Sequence, residues 1–333
     1  MVVFEIDGKQ IGNKTYFIAE AGLNHNGDIK IAKKLVEEAY NAGADAIKFQ
    51  TYKTENFIAE SNPYFKFFKK VEIGYNEFGE IKDHAKNIGI TFFSTPFDIE
   101  SVDYLDKIEV PCFKIASSDI TNMPLIRHIA KKNKPTIIST GSSTLQEIQD
   151  SINWCMFEGL SKIALLHCVV NYPASPEESN LLSIITLKNK FGLAVGYSDN
   201  GDSKLVDLVA VSIGAEIIEK HFTLDKKMDG PDHSFSIQPS DLKKLIDEIK
   251  VVEIAKGDGI KIPQKSEISI RSIARRSITA KEDIKKGEEI TDNVLSIKRP
   301  SDGILPKYYD IILGKRALRD IKKDTPINWK DII

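Results

Sequence analysis

Ala215-Glu216-Ile217-Ile218-Glu219-Lys220-His221-Phe222-Thr223-Leu224-Asp225 begins as a buried strand over Ala215–Ile218 and ends in ionisable groups. Gly230-Pro231-Asp232-His233 follows within a few residues. Apolar backbone running straight into charged side chains and histidine is how a parallel strand delivers chemistry from its C-terminal end. A polar loop after a strand is the plainer reading, and the surrounding chain decides between the two.

Upstream, the same strand-then-helix unit recurs. Strands are expected at Tyr16–Gly22, Ala46–Tyr52, Thr91–Thr95, Cys112–Ser117, Thr136–Thr140, Ile163–Cys168 and Ala194–Ser198. Helical spacing marks Ile29–Ala42, Glu77–Asn87, Ile99–Lys107, Leu125–Lys132, Leu145–Phe157, Leu181–Lys190, Lys204–Ile213 and, after the opening stretch, Ser240–Ala255. Parallel strands need crossovers and helices provide them, so the alternation predicts an α/β fold with a parallel sheet. Eight such units match the size of a (β/α)8 TIM barrel. A doubly wound open sheet would need an early glycine-rich phosphate loop, and no GxGxxG is present. The segment Asn56–Asn76, rich in Phe, Tyr and Lys, is long for a βα loop and reads as a lid or partner-contact loop.

The rhythm covers residues 1–256. GDGIKIPQKSE opens a polar linker over 257–271, and 272–333 is a second, β-rich domain with almost no helical period. It contains an echo: Asp283-Ile284-Lys285-Lys286-Gly287 returns as Asp320-Ile321-Lys322-Lys323-Asp324, each followed three residues later by Ile290 or Ile327. Paired turns of this kind predict a small pseudo-symmetric domain. Standing alone it is marginal, so packing against the barrel or a second subunit is expected.

Composition sets outer limits. The 333 residues are 41% hydrophobic and 28% charged, with a net charge of -2, which suits a soluble globular protein and gives no sign of a nucleic-acid partner. Cys112, Cys155 and Cys168 form no CxxC pair and read as reduced thiols of a cytoplasmic protein. The opening MVVFEIDGKQIG is strand-like and reads as neither a signal nor a transit peptide. No apolar run is long enough to span a bilayer, so no membrane partner is expected.

The strand ends test the barrel reading, because barrel active sites form there. They carry, in order, Glu20; Lys48 and Gln50; Ser94 and Thr95; Lys114, Ser117 and Asp119; Ser139 and Thr140; His167, Asn171 and Tyr172; Ser198, Asp199 and Asn200; and Glu219, Lys220 and His221. A purely structural barrel would not end every strand in polar groups. Two lysines with several hydroxyls suit a phosphorylated anion. Glu20 suits proton transfer, and His221 suits a divalent metal.

The segments IAEAGLNHNGD, IKFQTY, STPFD, KIASSDITNMPLI, ISTG, LHCVVNYP, GYSD, IEKHFTLDKKMDGPDH, ARRSI and KRPSDGI resemble the sialic acid synthase family, and the resemblance runs over nearly the whole chain. It implies a TIM barrel followed by a small antifreeze-like (SAF, β-clip) domain. The activity it implies is condensation of phosphoenolpyruvate with an N-acylated mannosamine-type sugar to a nine-carbon nonulosonic acid and phosphate. By motif, the phosphoenolpyruvate contacts would be Lys48, Thr95, Lys114, Ser117, Ser139 and Ser198. The sugar contacts would be Gln50, Asp119, Tyr172, Asp232 and Arg299, the last reaching from a neighbouring subunit of a domain-swapped homodimer. Glu20 would sit beside the reacting aldehyde and steer the water that adds at C2. His221 would bind Mn2+ or Mg2+, which polarises the aldehyde for attack by C3. Glu219 and Lys220 then read as structural partners.

Two positions depart from the family pattern. Many members place a second metal-binding histidine where this chain has Asn200, so Asn200, His233 or a water is left to fill that place, Asn200 or water being favoured. Val170 stands where Asn or Ser is common, with Asn171 one place on. The acceptor sugar is not legible: N-acetylmannosamine, a diacetamido-trideoxy hexose leading to legionaminate, and its altrose isomer leading to pseudaminate all fit. Two other classes remain open: a Schiff-base aldolase using Lys48, Lys114 or Lys220, and a non-catalytic protein whose tail binds ice or a partner. The presence of Glu20, Lys48 and His221 argues against the second.

Overall fold

The computed structural model describes residues 4–12 and 14–333, so Met1–Val3 of the strand-like opening and Asn13 lie outside the described residues. The chain divides into two compact units, one through Gly257 and one over Asp258–Ile333.

The first unit begins with a hairpin of β1 (Glu5–Ile6) and β2 (Lys9–Gln10). Next come β3 (Tyr16–Gly22), α1 (Ile29–Ala42), β4 (Ala46–Thr51), α2 (Thr54–Phe57), α3 (Phe65–Val71), α4 (Tyr75–Ile88), β5 (Thr91–Pro96) and α5 (Ile99–Lys107). They are followed by β6 (Phe113–Ile115), α6 (Met123–Lys131), β7 (Thr136–Ser139), α7 (Leu145–Phe157), β8 (Ile163–Cys168) and α8 (Ser183–Phe191). The unit ends with β9 (Ala194–Asp199), α9 (Lys204–Ser212), β10 (Ile217–His221) and α10 (Pro239–Lys256). Among the described residues, β3 to β10 pair in parallel, each with the next, and β10 closes on β3 with Ile217 opposite Tyr16 and His221 opposite Glu20. This is the (β/α)8 TIM barrel.

Local chemistry explains the boundaries. Asp28 caps α1 by accepting from Lys30 N at 2.7 Å. Thr144 and Glu147 form a reciprocal capping box at the start of α7. Outward-facing strand residues such as Phe17, Phe49, Phe113 and Leu165 pack against helix residues such as Leu35, Ile81 and Ile129 in one continuous core. Phe4, Ile6 and Ile11 of the hairpin segment belong to that core. Asp7 accepts from Thr91 Oγ1 at 2.9 Å and Lys9 pairs with Asp45 at 2.9 Å, so the hairpin lies across the N-terminal ends of the strands. The opposite ends, which carry the chemistry, stay open.

Asn56–Asn76 is not a bare loop. It holds the second half of α2 and all of α3, and Phe57, Phe67, Phe68 and Phe97 pack with Leu23, Tyr52 and Val71 in a cluster separate from the main core. Glu72 ties the segment down by accepting from Thr54 N at 3.0 Å and Thr54 Oγ1 at 2.7 Å. Burial works against its ionisation, but those bonds and Lys53 and Lys69 outweigh it and hold the carboxyl below the ordinary value.

The second unit contains α11 (Ile268–Ala274), β11 (Ser277–Ala280), β12 (Leu295–Lys298) and α12 (Tyr309–Ile312), with β11 and β12 antiparallel. The expected linker over 257–271 therefore ends inside a helix. The echoed turns face each other. Ile284 and Ile321 exchange both backbone hydrogen bonds at 2.8 Å. Asp283 Oδ1 accepts from Lys323 N at 2.8 Å, and Asp320 Oδ1 accepts from Lys286 N at 2.9 Å. Each half caps the other, and Ile290 and Ile327 are both buried in the core of this unit.

Candidate active site

Successive strand residues face opposite sides of the sheet, and this alternation sorts the polar strand ends. Inward lie Glu20, Lys48 and Gln50, Thr95, Lys114, Ser139, Ser198 and Asn200, Glu219 and His221, around an inner chamber of about 240 Å³. Outward lie Ser94, bonded to Thr51 at 2.7 Å, and His167, bonded to the Ser179 carbonyl at 2.7 Å. Lys220 also faces outward, paired with Asp199 and with Asp207, the latter at 3.1 Å. The expectation was a structural partner, and these pairings turn its ammonium away from the chamber.

Glu219, expected to be a structural partner, faces the chamber. It sits two residues before His221, on the same face, and accepts from Ser198 Oγ at 2.9 Å. Its carboxylate lies 3.6 Å from Lys114 Nζ and 3.8 Å from Lys48 Nζ. The period of two that groups Lys48 with Gln50 also groups Glu219 with His221, so the signal was present in the sequence. Lys48 Nζ lies 2.8 Å from Glu20 Oε2 and donates to Thr95 Oγ1 at 3.1 Å. Lys114 Nζ donates to Ser139 Oγ at 2.6 Å. Ser117 lines the chamber, its Oγ accepting from Gly141 N at 2.9 Å.

Two buried ammoniums therefore face two buried carboxylates. Burial pushes the Glu20 carboxyl up, with Lys48 opposing it. Burial also works against ionised Glu219, but Lys114 and Lys48 outweigh it and hold that carboxyl below its ordinary value. Lys48 is held above the usual ammonium range, because Glu20 and Glu219 outweigh its burial. Lys114 is lowered, burial dominating over Glu219. Cys168 also lines the chamber, with burial raising its thiol.

An outer chamber of about 1140 Å³ adjoins the inner one, and Gln50, Phe57, Tyr172 and His221 line both. Asp232 lines the outer chamber, as does Asn26, which the sequence reading did not single out as a contact. Tyr172 and Phe235 flank the His221 ring at 5.9 and 5.2 Å between centroids. Asp119 is not brought in: it lines neither chamber and accepts instead from Asn122 Nδ2 at 2.9 Å. Asn171 is turned to Glu178 at 3.0 Å, while Val170 lines the inner chamber. Arg299 is exposed in the second unit, just after β12.

The NeuB family model matches residues 35–261, and the SAF domain model matches 275–333. The chain belongs to the NeuB family. An N,N'-diacetyllegionaminic acid synthase of Campylobacter jejuni is 45% identical over 93% of this chain and 98% of its own length. A pseudaminic acid synthase of the same species is 36% identical over 94% and 96%. The crystal structure of a sialic acid synthetase from Leptospira borgpetersenii superposes with a TM-score of 0.77 at 37% identity, over 80% of this chain and 94% of that one.

The resemblance to this NeuB family implies a metal, and the side chains can be tested for one. His221 Nδ1 is buried without a hydrogen-bond partner among the described residues and lies 3.8 Å from Asp232 Oδ2. Gly22, in the left-handed region at φ 50, leaves open the space between Glu20, Gln50 and Asp232 that a Cβ would occupy. Asn200 donates its amide nitrogen to the Val169 carbonyl at 2.7 Å, so only its carbonyl oxygen is left to offer a cation. His233 is excluded as a ligand: one ring nitrogen bonds Thr223 Oγ1 at 2.7 Å and the other Asn26 Oδ1 at 3.2 Å. Among the described residues no three His, Cys, Asp or Glu side chains gather into a metal cluster. His221 and Asp232 bring one imidazole nitrogen and one carboxylate together, donors suited to an open Mg2+ or Mn2+ site completed by solvent or substrate oxygens, and Asn200 lines the inner chamber with His221.

Proposed function

We propose that this protein condenses phosphoenolpyruvate with an N-acylated mannosamine-type sugar, forming a nonulosonic acid and inorganic phosphate. The observation that carries the reading is the buried pair Lys48 and Lys114, with Thr95 and Ser139 attached, at the floor of a small chamber that opens into a larger one. The small chamber takes the phosphorylated enol and the large one the sugar. The 45% identity to a legionaminic acid synthase, against 36% to a pseudaminic acid synthase, favours a manno-configured diacetamido sugar and a legionaminate-type product.

Lys48 and Lys114 hold the phosphate and carboxylate. The hydroxyls of Thr95, Ser117, Ser139 and Ser198 complete the anion's hydrogen bonds. A new bond joins C3 of the enol to the aldehyde carbon, and the aldehyde oxygen takes a proton. Water adds at C2, and the C2–O bond to phosphate then breaks to leave a ketone. Glu20, buried beside Lys48 and Gln50, orients that water and holds its proton. His221 and Asp232, with the Asn200 carbonyl, would hold Mn2+ or Mg2+, which would supply Lewis acidity toward the aldehyde. Preorganised ammoniums stabilise charge throughout without reorganising.

Phosphate release measured with phosphoenolpyruvate, Mg2+ or Mn2+ and each candidate sugar tests the reaction. Release is expected only when both substrates are present, and its absence with every sugar overturns the reading. The burial that lowers Lys114 favours one second reading, a Schiff-base aldolase through that amine. Borohydride in the presence of the sugar would trap such an adduct, and the synthase predicts no trapping. Arg299 grips the N-acyl group within the barrel of a second subunit. Arg299→Ala should then raise the sugar KM about tenfold, the loss of one good polar contact, with the phosphoenolpyruvate KM little changed. Equal loss of both would remove the subunit-crossing role.

A further inference from the structure

The loop that carries Asp232 is fixed from behind by side chains for which the reaction has no use. Asn24, Thr223, His233 and Ser236 lie in the loops that follow β3 and β10, and each is 2% exposed or less. Polar groups stay buried where hydrogen bonds replace the lost water, and here those bonds join the two loops. Asn24 Nδ2 gives one hydrogen to the Phe222 carbonyl and the other to Ser236 Oγ, both at 2.9 Å. Ser236 Oγ donates in turn to the Asp232 carbonyl at 2.5 Å. A second tie lies one residue further on. His233 bridges Thr223 Oγ1 at 2.7 Å and Asn26 Oδ1 at 3.2 Å. Gly230 lies against that imidazole, and a Cβ there would come within 2.6 Å of the ring.

His221 Nδ1 and Asp232 Oδ2 stand 3.8 Å apart. That is beyond hydrogen-bonding distance, so the two side chains do not hold each other. Their separation is set by the backbone behind them. Phe222 directly follows His221, and Ser236 holds the backbone of Asp232, so the Asn24 carboxamide spans the gap between the two. The span needs two N–H hydrogens from one small planar group, and an aspartate of the same shape supplies none.

We propose that Asn24 and Ser236 are positioning residues that set the Asp232 carboxylate opposite His221. This rests on the reading that these two side chains hold a cation, and it names the groups that fix their spacing.

Calorimetric titration of the full-length protein with MnCl2, and separately with phosphoenolpyruvate, tests it without turnover. Removing a group that orients a metal ligand typically weakens the metal by 10- to 100-fold. Ser236→Ala deletes one hydroxyl and should raise the Mn2+ Kd about tenfold, leaving the phosphoenolpyruvate Kd, set by the inner-chamber lysines, near wild type. Asn24→Asp turns an acceptor toward the Phe222 carbonyl and should weaken Mn2+ at least as much; wild-type affinity in that variant removes Asn24 from the chain of bonds. An unchanged Mn2+ Kd in Ser236→Ala overturns the inference. So does an equal loss of Mn2+ and phosphoenolpyruvate, which would mean that the whole mouth has loosened. A wild-type protein that binds neither Mn2+ nor Mg2+ overturns the cation reading and the inference with it, and phosphate release from that protein would leave the condensation standing.

Discussion

The inner and outer chambers share Gln50, Phe57, Tyr172 and His221, yet they are built in opposite ways. The inner one takes its polar groups mainly from consecutive strands of a closed sheet. Most are buried, and the lysines and Glu219 already have partners. The outer one takes its wall from two short helices and loops, where Tyr64, Lys70 and Pro231 are exposed. A strand bonded on both sides fixes a side chain to a fraction of an ångström, whereas a loop can change length and sequence at little cost. Under the proposed reaction, chemistry placed on the first can stay fixed while the sugar's surroundings on the second vary.

The sharpest way to break this comparison is to remove one ammonium from the inner chamber. Lys48→Ala should lower kcat/KM about 1,000-fold. It should also destabilise the fold by about 3 kcal/mol or more, because Glu20 and Glu219 are left buried without their shared partner. Adding Glu219→Gln to that variant should recover part of the stability and none of the activity. Urea unfolding and phosphate release, measured side by side, separate the two effects. A full return of activity would mean that Lys48 serves the fold alone.

Lys220 is the natural control. It is as buried as Lys48 but faces the helices, between Asp199 and Asp207. Lys220→Met should cost about 3 kcal/mol of stability while both KM values stay near wild type. A shift in the phosphoenolpyruvate KM would show that the two faces of β10 are coupled. The smallest effect concerns Asp207. Burial pushes its carboxyl up from 3.8 to about 8, with Lys220 opposing and Asp199 reinforcing the shift. The folded protein then holds a proton that the unfolded chain has already lost, so stability should fall as pH rises from about 4 to about 8 and level off above. Asp207→Asn should flatten that slope in thermal unfolding between pH 5 and 9; an unchanged slope would place the titration elsewhere.

The barrel was legible because its signals are local and repeated. Tyr16–Gly22, Ile29–Ala42, Ile99–Lys107, Leu145–Phe157 and Ile163–Cys168 match their elements residue for residue. Asn56–Asn76 was harder, because α2 and α3 are stabilised by an aromatic cluster assembled from distant parts of the chain rather than by their own periodicity. The hairpin across the strand ends is held by Thr91 and Asp45, far along the chain. In the site, residue types pointed to the C-terminal mouth of the barrel, but a linear reading counted both faces of each strand end. His167 and Asp119 were gathered with the rest although their side chains turn elsewhere, and Glu219 was set aside although it faces both lysines. Whether Asn200 or a histidine would serve a cation depended on which hydrogen bonds each side chain had already made, and those bonds cross between strands.

The hairpin has a kinetic consequence. With Phe4, Ile6 and Ile11 packed into the core at the N-terminal ends of the strands, that end of the barrel is filled with side chains. Under the proposed reaction both substrates then enter from the opposite end, where the buried lysines place the small enol deeper than the sugar. Ordered traffic is the expected result, the enol first in and inorganic phosphate last out, and phosphate should compete with phosphoenolpyruvate but not with the sugar.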